Sequence, residues 1–117
     1  MEMCYAYKVL WKDSLKSAYA PHTACVEYKL GRWVKAPGWL ARRGYYLTVF
    51  RSLNDARKYR SSLVQDIWLC EVSGVKTDLP YVCYLAGLSR GEMEPMPRDW
   101  PEGTIMARRV KIIKIVK

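Results

Sequence analysis

Six basic and five aromatic side chains crowd into Trp39–Arg60, WLARRGYYLTVFRSLNDARKYR. The cations are Arg42, Arg43, Arg51, Arg57, Lys58 and Arg60, the rings are Trp39, Tyr45, Tyr46, Phe50 and Tyr59, and Asp55 is the one acid. Arginine forks match phosphate oxygens two at a time. Aromatic faces stack on nucleobases. Together they suit an anionic, ring-bearing ligand such as a nucleotide. Ser52 reads as a helix N-cap, and Asp55 three residues on completes a variant of the capping box. A helix start offers free N–H groups and partial positive charge, which can seat a phosphate. The expected ligand-binding set is therefore Arg42, Arg43, Arg51 and the Ser52 helix start for phosphate, and Trp39, Tyr45 and Tyr46 for the base. Arg57 and Lys58 are turned to solvent or ligand. Trp33 is a further ring candidate. The competing reading is ordinary capping, with the arginines paired to Glu27 or Glu71 and the rings in the core.

The other chemistry-bearing residues are less organised. His22 in A-P-H-T has no serine or cysteine partner that sequence can put beside it. Glu92 and Glu94 could converge in a loop, but nothing in the sequence raises their pKa. Cys4, Cys25, Cys70 and Cys83 contain no C-x-x-C knuckle and have one histidine to join them, so no metal is expected. Cys4 and Cys70 fall in apolar strand-like runs and are expected in the core. The spacing leaves disulfide pairing open. Phosphate-loop, dinucleotide-fold, zinc-protease and serine-hydrolase signatures are missing. The expectation is binding without catalysis and without a cofactor.

Charge supports a phosphate-bearing partner. The formal net charge is +9, of which Trp39–Arg60 carries +5 and the tail cations Arg108, Arg109, Lys111, Lys114 and Lys117 another +5. Clustered positive charge attracts phosphates and speeds encounter. Two separate basic segments keep nucleic acid open as the partner beside a free nucleotide or oligonucleotide. An exposed Trp39–Tyr45–Tyr46 patch would instead suit a protein partner. A homodimer joining two basic clusters is a further expectation. The scarcity of amides, with one Asn and one Gln against nine Tyr and five Trp, fits a thermophilic source.

These residues must be positioned by a fold of one domain, since 117 residues with half of them apolar give a single core. No apolar run approaches the roughly 20 residues of a membrane span, and the first residues read as no signal peptide. The expected location is the cytoplasm. Cys4–Trp11 reads as a strand, Lys12-Asp13 as a turn, and Ser14–Tyr19 as its partner strand. Cys25–Lys29 and Arg32–Lys35 flank a turn at Leu30-Gly31. Trp39–Arg43 reads as one helical turn ended by Gly44. Tyr45–Arg51 alternates with both faces apolar, which predicts a strand covered on both sides. Leu53, Ala56, Tyr59 and Leu63 recur at helical spacing and should face the core. Asp66–Ser73 is a strand, Gly74–Asp78 a turn, Leu79–Leu85 extended, 87–103 an irregular loop ordered by Trp100, and Thr104–Val116 the last strand. The expected fold is α+β: a bent, mainly antiparallel sheet of six to eight strands packed against one main helix over about 52–64.

The pieces GYYLTVFRSLNDARKY and WPEGTIMARRVKIIK, preceded by EYKLGRWVKAP, resemble a scattered set of small proteins of phages, prophages and archaeal viruses. That group has no established activity, so the resemblance implies a mobile-element origin, with the protein expected inside the host cell, and carries over no catalytic residues. Gly44-Tyr45-Tyr46 and Ala56-Arg57-Lys58-Tyr59 also look like the glycine–aromatic strand and following helix of ADP-ribosyltransferase-like folds. Catalysis in those folds needs a His or Arg on an early strand and often a late Glu. Here Cys4–Trp11 offers Lys8, and Thr104–Lys117 has no acid. The likeness implies a nucleotide-shaped cleft rather than transferase activity. The combined expectation is a small basic protein that binds a nucleotide, with sequestration of a host-defence nucleotide signal as its role. A nucleic-acid-binding regulator, a protein-binding inhibitor and an ADP-ribosyltransferase-like enzyme are the alternatives.

Overall fold

A computed structural model describes residues 3–15, 26–42, 44–60, 63–79, 83–86, 92–95 and 100–116. Its elements in chain order are β1 (Met3–Trp11), β2 (Trp33–Lys35), α1 (Gly38–Ala41), β3 (Leu47–Phe50), α2 (Leu53–Tyr59), β4 (Gln65–Lys76), β5 (Cys83–Ala86), β6 (Glu92–Pro95) and β7 (Thr104–Val116). All strand pairs are antiparallel. The fold is a mostly antiparallel sheet with one two-turn helix, as the alternation patterns predict. The main sheet holds five strands in the order β2-β7-β3-β1-β4, and β5-β6 form a separate two-stranded ribbon. This corrects the expectation of one sheet of six to eight strands.

The sheet closes on itself because β7 and β4 also pair with each other. β7 pairs with β4 over most of its length, while its other edge takes β3 at Thr104–Ala107 and then β2 at Arg109–Lys111. The ring is finished by β1, which pairs with β4 over nine positions and touches β3 at Tyr7↔Phe50. Closure pairs the outer edge of β4, a long edge that would otherwise invite aggregation. Ile113 is an extra residue between Lys114, opposite Leu69, and Ile112, opposite Cys70. Such a bulge bends a long strand and helps it follow the curve.

Alternation divides the apolar residues between two cores. Ala6, Leu10, Leu47, Val49, Trp68, Cys70, Val72, Ile105, Ala107, Val110 and Ile112 fill the inside of the ring together with Tyr28. Val9, Phe50 and Ile67 point the other way and meet Ala56, with Leu53 and Tyr59 packed alongside. The strand expected over Tyr45–Arg51 is shorter, Leu47–Phe50, and is covered on both faces as expected, with the helix over the second. That helix is shorter than expected. It ends at Tyr59, with Arg60 already extended as its C-cap. Leu63 therefore falls outside the helical stripe and is 80% exposed.

Other expectations shift in similar ways. The segment Gly74–Asp78 is not a turn at its start: β4 runs through Gly74 to Lys76. The 87–103 segment is not wholly irregular, because Glu92–Pro95 pairs with Cys83–Ala86. Ser14 lies in a turn and Leu15, at φ 53, is outside any strand, so the expected partner strand does not start there; its remaining positions, 16–19, lie outside the described residues. Of the strand expected over Cys25–Lys29, the described residues 26–29 hold a single bridge at Glu27. Cys4 is exposed, whereas Cys70 is buried as expected. Both thiols are free. The turn at Leu30-Gly31 forms, as does the helical turn at Gly38–Ala41, and the Gly44 N–H donates to Ala41 O at 2.9 Å.

Candidate functional site

The two residues between Ala107 and Val110 build the most chemically distinctive surface. Ala107 and Val110 both point into the ring core, so the alternation of β7 slips between them. Arg108 and Arg109 are consequently both turned away from that core. The partner strand accommodates the slip at Gly74, which faces Arg108 and has φ +69. Two consecutive arginines and Lys111 thus share a surface with the side chains of neighbouring strands.

Each of two rings on this surface is flanked by two cations. Arg109 and Lys111 stand 5.4 and 4.9 Å from the centroid of Trp33, and Trp33 is 37% exposed. Arg108 and Lys76 stand 5.4 and 5.7 Å from the centroid of Tyr46. Cation–ring contacts of this kind contribute about 0.5–1 kcal/mol at exposed sites. They also hold long side chains in place. Lys35 lies opposite Arg109, and Lys111 opposite Glu71, whose carboxylate is 3.7 Å from the ammonium. Arg109 reaches Ser73 Oγ at 3.5 Å. Five cations, two rings and one carboxylate make an electropositive face with flat apolar platforms.

The residues expected to bind ligand are distributed more widely than the sequence suggests. Tyr46 belongs to the face just described. Tyr45 is half-buried in the approach to β3. Trp39 lies in α1, Arg42 follows it and is exposed, and Arg43 falls outside the described residues. Arg51 is exposed at the end of β3, and its N–H donates to Gly103 O at 2.8 Å. Arg57 and Lys58 are exposed on α2, as expected, with Lys58 3.8 Å from Glu102.

The Ser52 helix start is engaged in its own cap. Ser52 Oγ accepts the Asp55 N–H at 3.2 Å and donates to Asp55 Oδ2 at 2.8 Å. Gly103 packs on the same carboxylate so closely that a Cβ there would lie 2.2 Å from Asp55 Oδ2. A carboxylate and the 101–103 turn thus cover the first turn of a seven-residue helix, where a phosphate was expected.

A polar cluster also lies inside the ring. Lys8 is 3% exposed, and its ammonium donates to Thr48 O and, at 3.1 Å, to Thr48 Oγ1. It stands 5.7 Å from the Tyr28 ring centroid. Burial pushes the Cys70 thiol up to about 12, against the opposing pull of Lys8, and burial likewise raises the Tyr28 hydroxyl. The adjoining hollow, lined by Lys8, Thr48, Phe50, Tyr59 and Thr104 among others, has about 10 Å³. That is room for roughly one water molecule, not for a nucleotide.

Among the described residues, no group of three or more His, Cys, Asp or Glu side chains could hold a metal. No helix among them is long and apolar enough to cross a membrane. No protein-family model, curated protein or solved structure matches the chain.

The candidate surface was half visible in the sequence. Trp33, Tyr46 and the tail cations are identifiable there as candidates, but their convergence is not. Lys35 and Lys76 escape it. For Lys76 the glycine that reads as a turn hides the continuation of the strand, because the two-residue period breaks there.

Proposed function

We propose that the protein binds a phosphate-bearing, base-bearing ligand without chemical conversion, and that it does so on the Trp33–Tyr46 face. One observation carries this reading: two rings, each flanked by two cations, share the surface formed by β2, β7 and β4. The cations supply the phosphate contacts and the rings supply stacking. A role in sequestering a nucleotide signal during infection rests on the resemblance of the GYYLTVFRSLNDARKY and WPEGT pieces to proteins of mobile elements. In the same reading the protein works inside the host cell.

The test is a thermal-shift and equilibrium-binding series at low salt with cyclic, linear and oligomeric nucleotides. Arg108→Ala combined with Arg109→Ala should weaken whichever ligand binds by about ten-fold or more, the scale of two lost charge-assisted contacts. Unchanged binding in that variant, with the fold intact by circular dichroism, would remove the reading.

A further inference from the structure

The two rings are too far apart to serve one base. Trp33 lies opposite Lys111, and Tyr46 directly precedes Leu47, which lies opposite Ala107. Tyr46 therefore sits beside Arg108, three residues along β7 from the partner of Trp33. At ~3.3 Å per strand residue the rings are set about 10 Å apart along β7. Trp33 lies in β2 and Tyr46 just ahead of β3, and both strands pair with the same edge of β7, so the rings lie in a row rather than across the sheet. Arg108, Arg109 and Lys111 line the interval between them. That interval exceeds the ~3.4 Å step between neighbouring stacked nucleotides, so the two rings take different bases.

Resting on the binding reading above, we infer that the occupant of this face is single-stranded nucleic acid, laid along β7 with separate bases on Trp33 and Tyr46 and its phosphates on the intervening cations. Trp33, Lys35 and Arg108 are exposed on this surface, and Tyr46, Arg109 and Lys111 are half-buried. A mononucleotide can engage one ring and its two cations. A strand engages both. A duplex offers phosphates but keeps its base faces stacked, so it gains nothing from Trp33 or Tyr46. Glu71 also lies on this surface, and its pairing with Lys111 lowers its repulsion of a phosphate chain.

Fluorescence anisotropy at low salt tests this with labelled DNA and RNA strands of about 12 nucleotides, within the usual site size of single-strand binders. The comparison ligands are the matching duplex and a labelled adenosine nucleotide. The strand should bind about ten-fold tighter than either, with the DNA and RNA arms telling which sugar is preferred. Trp33→Ala and Tyr46→Ala should each weaken the strand by about five-fold or more, and Trp33→Phe should retain most of the affinity. Arg108→Ala with Arg109→Ala should flatten the slope of log affinity against log salt by about 1.4. A duplex bound as tightly as the strand, or ring variants indistinguishable from the parent, overturns the inference. A mononucleotide that binds through Arg108 and Arg109 with no gain for the strand also overturns it, while leaving the binding reading intact. Parental affinity for every ligand after the double arginine change defeats both.

Discussion

The side chain of Arg108 lies across Gly74 on the neighbouring strand. Its Cβ, Cγ and Cδ would each stand 2.9 Å from a Cβ built on that glycine, and the glycine has φ +69. An L side chain at Gly74 is thus opposed twice, by its own backbone conformation and by the stem of the arginine. Gly74→Ala should cost about 1–2 kcal/mol from the left-handed backbone alone. Urea denaturation measures that cost. The change should also displace Arg108 from the Tyr46 ring, so nucleic-acid affinity should fall along with stability. A variant of parental stability would show that the strand tolerates the change without strain.

The reciprocal cap at Ser52 makes a different prediction. Its hydroxyl serves the Asp55 N–H and the Asp55 carboxylate together. Ser52→Ala should cost about 1 kcal/mol, the usual loss for an N-cap. Because the carboxylate already occupies the helix start, ligand affinity should stay within about two-fold of the parent, well under one contact's worth of binding free energy. A selective loss of binding with stability preserved would return the helix start to the ligand site.

The two basic segments show what can be read from a sequence and what cannot. Local order was legible: the strand over Leu47–Phe50, the Ser52 cap and the bounds of Thr104–Val116 follow from alternation and capping chemistry. The apolar stripe Leu53, Ala56 and Tyr59 was legible too. Leu63 was not, since helical spacing can continue on paper after Arg60 has turned extended. The meeting of Tyr46 with Arg108 and Lys76 depends on which strands become neighbours in a closed ring. That is set by pairing between residues dozens of positions apart, and no short window of sequence contains it. The outward turn of both Arg108 and Arg109 depends on a slip in alternation that a strict two-residue period would miss. Nothing in the sequence around Lys8, the only cation of its strand, marks it as an interior tie.

Lys8 should prove structural. Its ammonium bonds both oxygens of Thr48 across the seam where β1 and β3 share one paired position. Lys8→Ala leaves a cavity and strips a donor from the Thr48 carbonyl, at about 3 kcal/mol. Lys8→Met restores the packing but not the hydrogen bonds, so about 1 kcal/mol of the loss should remain. The ordering Ala below Met below parent in denaturation midpoints is the expected result. Equal stability of all three would mean that the seam does not depend on the lysine.

Alkaline pH should reveal the buried tyrosine and thiol. Tyr28 is fully buried, and its hydroxyl has no hydrogen-bond partner among the described residues. Both Tyr28 and Cys70 are neutral when protonated, and burial favours that form, so the folded chain holds these protons to higher pH than the unfolded chain does. For Cys70 the stabilisation is complete below about pH 9 and is lost as the pH climbs to about 12. Tyr28 adds a second loss that begins near its ordinary value of about 10. Each group contributes a fall of up to ~1.4 kcal/mol per pH unit while only the unfolded chain has lost its proton. Tyr28→Phe removes one of the two and also deletes an unpartnered buried hydroxyl. At neutral pH the variant should be as stable as the parent or more so, by up to about 1 kcal/mol. Its advantage should widen between pH 10 and 12, measured as the difference in urea midpoints at each pH, so that lysine titration elsewhere cancels. A constant difference across that range would mean that Tyr28 ionises as readily folded as unfolded.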